Sequence, residues 1–120
     1  MLTTIRQGEG YYIRAKLGEN KTPLQKYIDI QVSVCNCLGI NFDKLTERTR
    51  KREIVVARYI CIYIGKNNGL GSLLFLANHI GLMDHSTAHH AIDTISDLIE
   101  IEDRDFLNHW NLCKHLLKRA

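Results

Sequence analysis

Four adjacent polar residues combine side chains that can cap a helix and meet an external polyanion: Asp84-His85-Ser86-Thr87. Asp84 is a favoured N-cap residue, because its carboxylate accepts hydrogen bonds from the backbone N–H groups that begin a helix. After it, apolar residues recur at helical spacing and predict a buried face, which comprises Ala88, Ala91, Ile92, Ile95 and Leu98. Ser86, Thr87 and His90 share the opposite face. Such a small, polar helix start is suited to the DNA major groove, where side chains reach base edges and phosphates.

Charge is distributed unevenly along the 120 residues, although the formal net charge is only +3. Basic residues are concentrated in a central segment and comprise Lys44, Arg48, Arg50, Lys51, Arg52 and Arg58. Acidic residues follow at Asp93, Asp97, Glu100, Glu102, Asp103 and Asp105. A molecule with one basic and one acidic end orients a polyanion on one surface, so this distribution favours a nucleic-acid partner.

Several other protein classes receive no support from the sequence. The first residues lack the apolar core of a secretory signal and no apolar run could span a bilayer, so we expect a cytoplasmic protein without a membrane partner. Its four cysteines are then expected to be reduced, with Cys61 and Cys113 in the core. Cys35 and Cys37 lack the spacing of a zinc knuckle, and the pair His85 and His89 has no obvious third ligand. We predict no metal, no cofactor and no catalytic site.

Helices are the elements that would position the polar residues. We predict a first helix from Pro23 to about Leu38, with Thr22 as its N-cap and with a buried face of Leu24, Ile28, Ile30 or Gln31, Val34 and Cys35. A short helical turn through Leu45 and the basic stretch lead to a second long helix, from Glu53 to Gly65. The remaining predicted helices run from Leu73 to His79, from His85 to about Glu100, and from Asp103 or Asp105 to about Lys118.

The two helices on either side of Gly81-Leu82-Met83-Asp84 form a predicted helix-turn-helix. The fold class is therefore all-α, with a helical domain of residues 23–120. Residues 1–22 form an N-terminal extension. This extension is either a β-hairpin, in which residues 3–6 pair with Tyr11 to Leu17, or a flexible arm.

Three blocks of this sequence, in order, carry a family resemblance. Arg50 to Tyr59 is a basic loop and the helix after it, Ser72 to Ala77 begins the helix-turn-helix, and Asp84 to Ala91 begins its second helix. These blocks resemble the C-terminal DNA-binding domain, domain IV, of the bacterial replication initiator DnaA. The resemblance covers about Pro23 to Leu117 and implies a Trp-repressor-like helix-turn-helix bundle. In that family the domain binds a short asymmetric duplex site, the DnaA box.

The resemblance implies a role for each matching residue. Arg50 corresponds to a loop arginine that enters a minor groove, and such arginines favour narrow A·T-rich grooves. Base edges would be contacted by Asp84, His85, Ser86 and Thr87. The sugar-phosphate backbone would be held by Arg58, Lys66 and His90, with Leu73 and Leu74 near the DNA. Two further cations of the basic run complete the predicted DNA-binding set: Arg48 and Lys51.

The sequence also departs from the family pattern. Leu82 and Met83 replace a glycine and a basic residue, Tyr59 replaces a glutamine, and Asp93 and Thr94 replace basic residues. Each lost phosphate-facing cation weakens binding and lowers its salt dependence. We therefore expect weaker binding than is typical of the family, at a site that differs in detail from the DnaA box.

The sequence thus predicts a non-enzymatic protein that binds duplex DNA sequence-specifically and regulates replication initiation or transcription in a bacterial or phage-infected cell. An ATPase module is not expected, because Gly65-Lys66 and Gly69-Leu70-Gly71 lack the pattern of a phosphate-binding loop. The alternative is a helical adaptor that binds a protein, without DNA, through the acidic residues between 93 and 105. Candidate protein partners are a replication initiator or a second copy of this chain.

Overall fold

Helices account for most of the described chain. The computed structural model describes residues 4–7, 9–11, 21–81 and 84–117. Its α-helices are α1 (Pro23–Leu38), α2 (Arg52–Asn67), α3 (Leu73–Asn78), α4 (His85–Glu100) and α5 (Arg104–Cys113). Two 3₁₀ helices, Phe42–Thr46 and Lys114–Leu116, follow α1 and α5. The predicted all-α helix-turn-helix bundle is confirmed. The last helix is shorter than predicted, because α5 ends at Cys113 and only a 3₁₀ turn follows it, to Leu116, before the chain becomes extended at Leu117.

Two short strands precede the helices. β1 (Thr4–Gln7) and β2 (Glu9–Tyr11) pair antiparallel, with Thr4 opposite Tyr11 and Ile5 opposite Gly10. The predicted second strand, Tyr11 to Leu17, therefore has only its first residue within the described part of the chain.

The helix boundaries follow from local capping chemistry. The Thr22 hydroxyl accepts a hydrogen bond from Gln25 N while Gln25 Oε1 accepts one from Thr22 N, which forms a capping box at the start of α1. Gly39 ends α1 in the left-handed conformation, at φ +71°. Ser72 Oγ caps α3 by accepting from Phe75 N at 3.1 Å. These ends were predictable because each depends on residues adjacent in sequence.

α2 lies at the centre of the bundle. It packs against α1, α3 and α4, while α1 and α4 also contact α5. Its fully buried side chains include Ala57, Ile60, Cys61, Ile62 and Ile64. Gly65 allows α1 and α3 to approach α2 closely, because a Cβ there would lie 3.0 Å from atoms of both Leu76 and Tyr27. Because α2 is buried on several sides, its packing fixes the positions of α1, α3 and α4.

The buried face of α1 differs from the predicted one. Ile28 is 39% exposed, whereas Val34, Cys35 and Gln31 are buried as expected. Tyr27, which was not predicted, is buried beside Gln31. Their polar groups find partners in the third helix region: Tyr27 Oη donates to Leu76 O at 2.9 Å and Gln31 Nε2 donates to His79 O at 2.8 Å. Buried polar groups are tolerated when they are hydrogen-bonded, so these two side chains attach α1 to the first helix of the helix-turn-helix.

The cysteines contribute to the core as thiols. All four are free, and Cys35, Cys61 and Cys113 are buried, which confirms the prediction for Cys61 and Cys113. Burial raises the pKa of the Cys113 thiol to about 12 and raises that of Cys61 well above its ordinary value. These groups are therefore poor nucleophiles at neutral pH. In the described ranges, no helix combines the length and apolarity that a membrane span requires.

Candidate nucleic-acid interface

The turn of the helix-turn-helix lies against the segment that leads into the basic run. Gly81, after α3, has a φ of +101°, and a Cβ there would lie 2.9 Å from Leu45 O and 3.2 Å from Thr46 Cα. Only glycine satisfies both this conformation and this close approach. Leu82 and Met83, which depart from the family pattern, lie outside the described residues.

A concave surface joins three segments of the chain and is here called the interface groove. Its volume is about 790 Å³, and the loop before α2, the first half of α2 and the start of α4 contribute its walls. The lining residues are Glu47, Arg48, Thr49, Arg50, Val55, Arg58, Tyr59, Asp84, Ser86, Thr87 and His90. Seven of the predicted DNA-binding residues are among them: Arg48, Arg50, Arg58, Asp84, Ser86, Thr87 and His90.

The other five predicted residues are not part of this lining. His85 is exposed at the first position of α4, where its ring stacks edge-on against His89 at 4.7 Å. Lys51 immediately precedes α2 and Lys66 belongs to its last turn, and both are exposed. Leu73 is half-buried and Leu74 is 51% exposed at the start of α3. His85 and Lys51 therefore lie on elements that line the groove, whereas Lys66, Leu73 and Leu74 lie at the end of α2 and on α3.

The start of α4 is ordered by Asp84. Its carboxylate accepts a hydrogen bond from Thr87 N at 2.7 Å, which confirms the predicted N-cap. The hydrogen bonds from Thr87 hold the pKa of the Asp84 carboxyl below its ordinary value. The group is therefore ionised at neutral pH, and its remaining lone pairs can accept from a donor outside the protein.

The Asp84 cap predicts a specific dependence of stability on pH. Because the folded pKa is lowered, the contribution of this carboxylate is present above the unfolded-state pKa of about 3.9 and is lost as the pH falls through the lower folded value. We expect Asp84→Ala to lower the melting temperature at pH 7, and this difference to shrink as the pH falls below about 4.

The neutral cap Ser72 is the matched control. Ser72→Ala removes the hydrogen bond to Phe75 N without removing a titratable group, so its effect on the melting temperature should not follow the same curve. Melting curves between neutral and acid pH, followed by circular dichroism, measure both effects. A pH-independent effect of Asp84→Ala would contradict the assignment.

His90 contacts two residues, Tyr59 and Thr94, at positions where the family resemblance implies a glutamine and a basic residue. The Tyr59 ring meets the His90 ring edge-on at 6.0 Å, and His90 Nε2 lies 3.4 Å from Thr94 Oγ1. Tyr59 also lines the interface groove, although the sequence indicated it only as a departure. The sequence analysis did not identify Glu47, Thr49 and Val55 as site residues, because their place in the groove depends on how the loop and α2 pack against α4.

Arg58 has a different environment from the other predicted contacts. It is only 8% exposed, and desolvation lowers the pKa of its guanidinium. Nε donates to Leu45 O at 2.7 Å and Nη1 donates to Thr49 O at 3.1 Å. Nη2 donates to Glu47 O and, at 3.4 Å, to Lys44 O. Most of the donors of this side chain are therefore directed at the loop before α2 rather than at the groove.

The last acidic residues of the sequence lie at and beyond the C-terminal end of α4. At the rise of an α-helix, Glu100 is about 22 Å from His85 along α4. Glu100, Glu102 and Asp105 are exposed, and Ile101 between them is 68% exposed. The last acidic residues of this helix therefore lie far from its polar start at residues 84–87.

Comparisons with known proteins match the helix-turn-helix region. The sequence model of the family described as the bacterial DnaA protein helix-turn-helix matches residues 28–95. The chain is 34% identical over 76 residues to the chromosomal replication initiator protein DnaA of Chlorobaculum tepidum, which covers 63% of this chain and 15% of that protein. It is 32% identical over 100 residues to the protein of the same name from Bacteroides thetaiotaomicron, which covers 83% and 21%. No solved structure gives a significant match.

The matches identify a family but cover only a small part of each relative. The chain spans about a fifth, or less, of the length of these relatives. The matched residues 28–95 include all three blocks that carry the resemblance, residues 50–59, 72–77 and 84–91. Because the match extends over more than half of the sequence, the chain belongs to the bacterial DnaA helix-turn-helix family.

Proposed function

We propose that this chain binds double-stranded DNA sequence-specifically, at a site related to the DnaA box, and so regulates replication initiation or transcription. The observation that carries the proposal is the interface groove. Seven predicted DNA-binding residues, from the separate segments 48–58 and 84–90, line one concave surface. Such convergence is expected of a site that contacts one ligand from two sides.

The start of α4 is the proposed major-groove element. A B-DNA major groove, about 12 Å wide, admits a single helix. The Asp84 carboxylate can accept from an exocyclic amine such as cytosine N4, while His85, Ser86 and Thr87 supply both donors and acceptors. His85 and Ser86 are exposed, as base contacts require.

The loop before α2 is the proposed minor-groove element. Arg50 is exposed and lines the interface groove opposite the start of α4. A guanidinium in a narrow A·T-rich minor groove gains from the enhanced negative potential there. Arg48, Lys51, Lys66 and His90 would hold phosphates, with Leu73 and Leu74 against the backbone, and so would set the register.

Selection of bound sequences from a random duplex library tests this proposal. We expect one enriched site, and we expect Arg50→Ala and His85→Ala each to weaken binding to it by about 10- to 100-fold. Arg104→Ala, which changes an exposed arginine at the start of α5, is the control and should bind as the wild type does. Failure to enrich any site, or unchanged affinity in both variants, would contradict the proposal.

A protein-binding adaptor is the second candidate, and one observation favours it. Ile101 is a large, strongly exposed apolar side chain between the exposed carboxylates of Glu100 and Glu102. This surface suits a partner that is both apolar and basic. An adaptor of this kind would show no salt-dependent affinity for duplex DNA, so the same titrations separate the two candidates.

A further inference from the structure

The loop before α2 has few contacts that could determine its shape. Between Thr46 and Lys51 its internal backbone hydrogen bonds run from Glu47 N to Lys44 O, at 3.2 Å, and from Thr49 N to Glu47 O, at 2.9 Å. Lys51 N adds a bond to Thr49 Oγ1 at 3.3 Å. Local bonds of this kind are easily opened in a surface segment.

One side chain connects the carbonyl groups of this loop to the body of the protein. The Arg58 guanidinium donates to four backbone carbonyls, those of residues 44, 45, 47 and 49, from a position on the central helix α2. A planar fork with five N–H donors matches several acceptors at once, which a single lysine ammonium cannot reproduce with the same geometry. The Arg58 guanidinium therefore binds four carbonyls within a segment of six residues, 44–49.

The segment that Arg58 binds leads directly to Arg50, the proposed minor-groove residue, and also contacts the turn of the helix-turn-helix. Thr49 O, the last of the four acceptors, belongs to the residue directly before Arg50. Leu45, another acceptor, has its carbonyl 2.9 Å from the place where a Cβ of Gly81 would lie. Arg58 thus lies between the proposed minor-groove element and the turn that precedes the proposed major-groove helix.

We infer that Arg58 is a positioning residue that fixes the end of the 3₁₀ helix Phe42–Thr46 and the start of the loop after it, residues 44–49, and through them Arg50, relative to α4. This assignment differs from the phosphate contact that the family resemblance implies for Arg58, and its consequence for DNA rests on the proposed function. Because the loop is ordered before DNA binds, Arg50 enters the minor groove without the entropy loss of ordering several residues.

Limited digestion with trypsin tests the inference without DNA. The exposed residues Arg48, Arg50 and Lys51 are cleavage sites within or next to the loop. We expect Arg58→Lys to accelerate cleavage there by about 10-fold or more, because the fork that closes the loop is lost while the charge is kept. Arg104→Lys, the same exchange at an exposed site on α5, should leave loop cleavage unchanged.

A measurement on the wild-type protein keeps the inference testable even if the variant does not fold. We expect the Arg58 Nε–H proton to exchange slowly in the free protein, because it is bonded to Leu45 O, and DNA should not be needed for this protection. Fast exchange that slows only when DNA is added would indicate a phosphate contact and would overturn the inference. So would loop cleavage in Arg58→Lys at the wild-type rate.

A double-mutant cycle then tests the link to Arg50. We expect Arg58→Lys to reduce the preference for A·T over G·C at the minor-groove end of the selected site by about as much as Arg50→Ala does. The double variant should be within about 2-fold of Arg50→Ala alone, because both changes remove one coupled contact. Additive losses, or a retained preference in Arg58→Lys, would contradict the positioning role. If no variant or wild type bound DNA, the proposed function would fail while the digestion result still decided the loop assignment.

Discussion

The affinity of this chain for its duplex site is expected to fall about 100-fold when the salt concentration rises from about 50 mM to about 200 mM, as for a protein with about four phosphate contacts. Each cation that neutralises a phosphate releases condensed counterions, and this release becomes less favourable as salt is added. The cations proposed to displace counterions are the exposed Arg48, Lys51 and Lys66, which would hold phosphates, and the exposed Arg50, whose charge would lie in the minor groove.

The expected slope is moderate because this chain has no cations at positions of α4 where the family resemblance implies basic residues. Asp93 is exposed on α4 at a position where the family resemblance implies a basic residue, and Thr94 instead interacts with His90. Lys66→Ala should reduce the slope of log affinity against log salt by about one while leaving the preferred sequence unchanged. Arg104→Ala provides the matched control outside the groove.

Anisotropy titrations of labelled duplex at several salt concentrations measure this slope. They should be made with the selected site and with a mixed-sequence duplex of equal length. An affinity that is equal at both ends of the salt range would contradict DNA binding through the groove and would favour the adaptor. A slope unaffected by Lys66→Ala would remove that residue from the contact set.

Gly81→Ala is expected to destabilise the protein by about 3 kcal/mol, the largest loss that we predict for a single methyl group. The Gly81 φ of +101° is strained for any residue with a Cβ. In addition, the new methyl would lie 2.9 Å from a backbone carbonyl, Leu45 O, which cannot rotate away as the end of a side chain can. The turn or the 3₁₀ helix must therefore shift.

Gly39→Ala is the matched control, because it isolates the conformational part of this effect. Gly39 also has a positive φ, +71°, but no heavy atom lies within 4 Å of its Cβ position. We expect a loss of about 1 kcal/mol there, the strain of an alanine in the left-handed region. Denaturant unfolding of both variants measures the difference, and equal losses would show that the approach to Leu45 has no energetic consequence.

Much of the fold could be predicted because it depends on neighbours along the chain. Thr22, Ser72 and Asp84 are caps whose partners lie three residues away, so their helices begin where expected. The face of α1 was harder to predict. Tyr27 was missed, and Gln31 was expected only as an alternative to Ile30. The burial of both depends on carbonyls at Leu76 and His79, nearly fifty residues further along.

The site follows the same division. The types and spacing of residues 84–87 and of the basic run are sequence properties, and they determined which side chains could meet a polyanion and that α4 would present them at its first turn. Only the tertiary structure decided that the basic run and residues 84–87 line one groove. It also decided that the Arg58 guanidinium donates to carbonyls of residues 44–49. The physical reason is that capping and helical periodicity act over a few residues. The partners of a buried guanidinium, and the approach of a glycine to a distant carbonyl, exist only after the helices have packed.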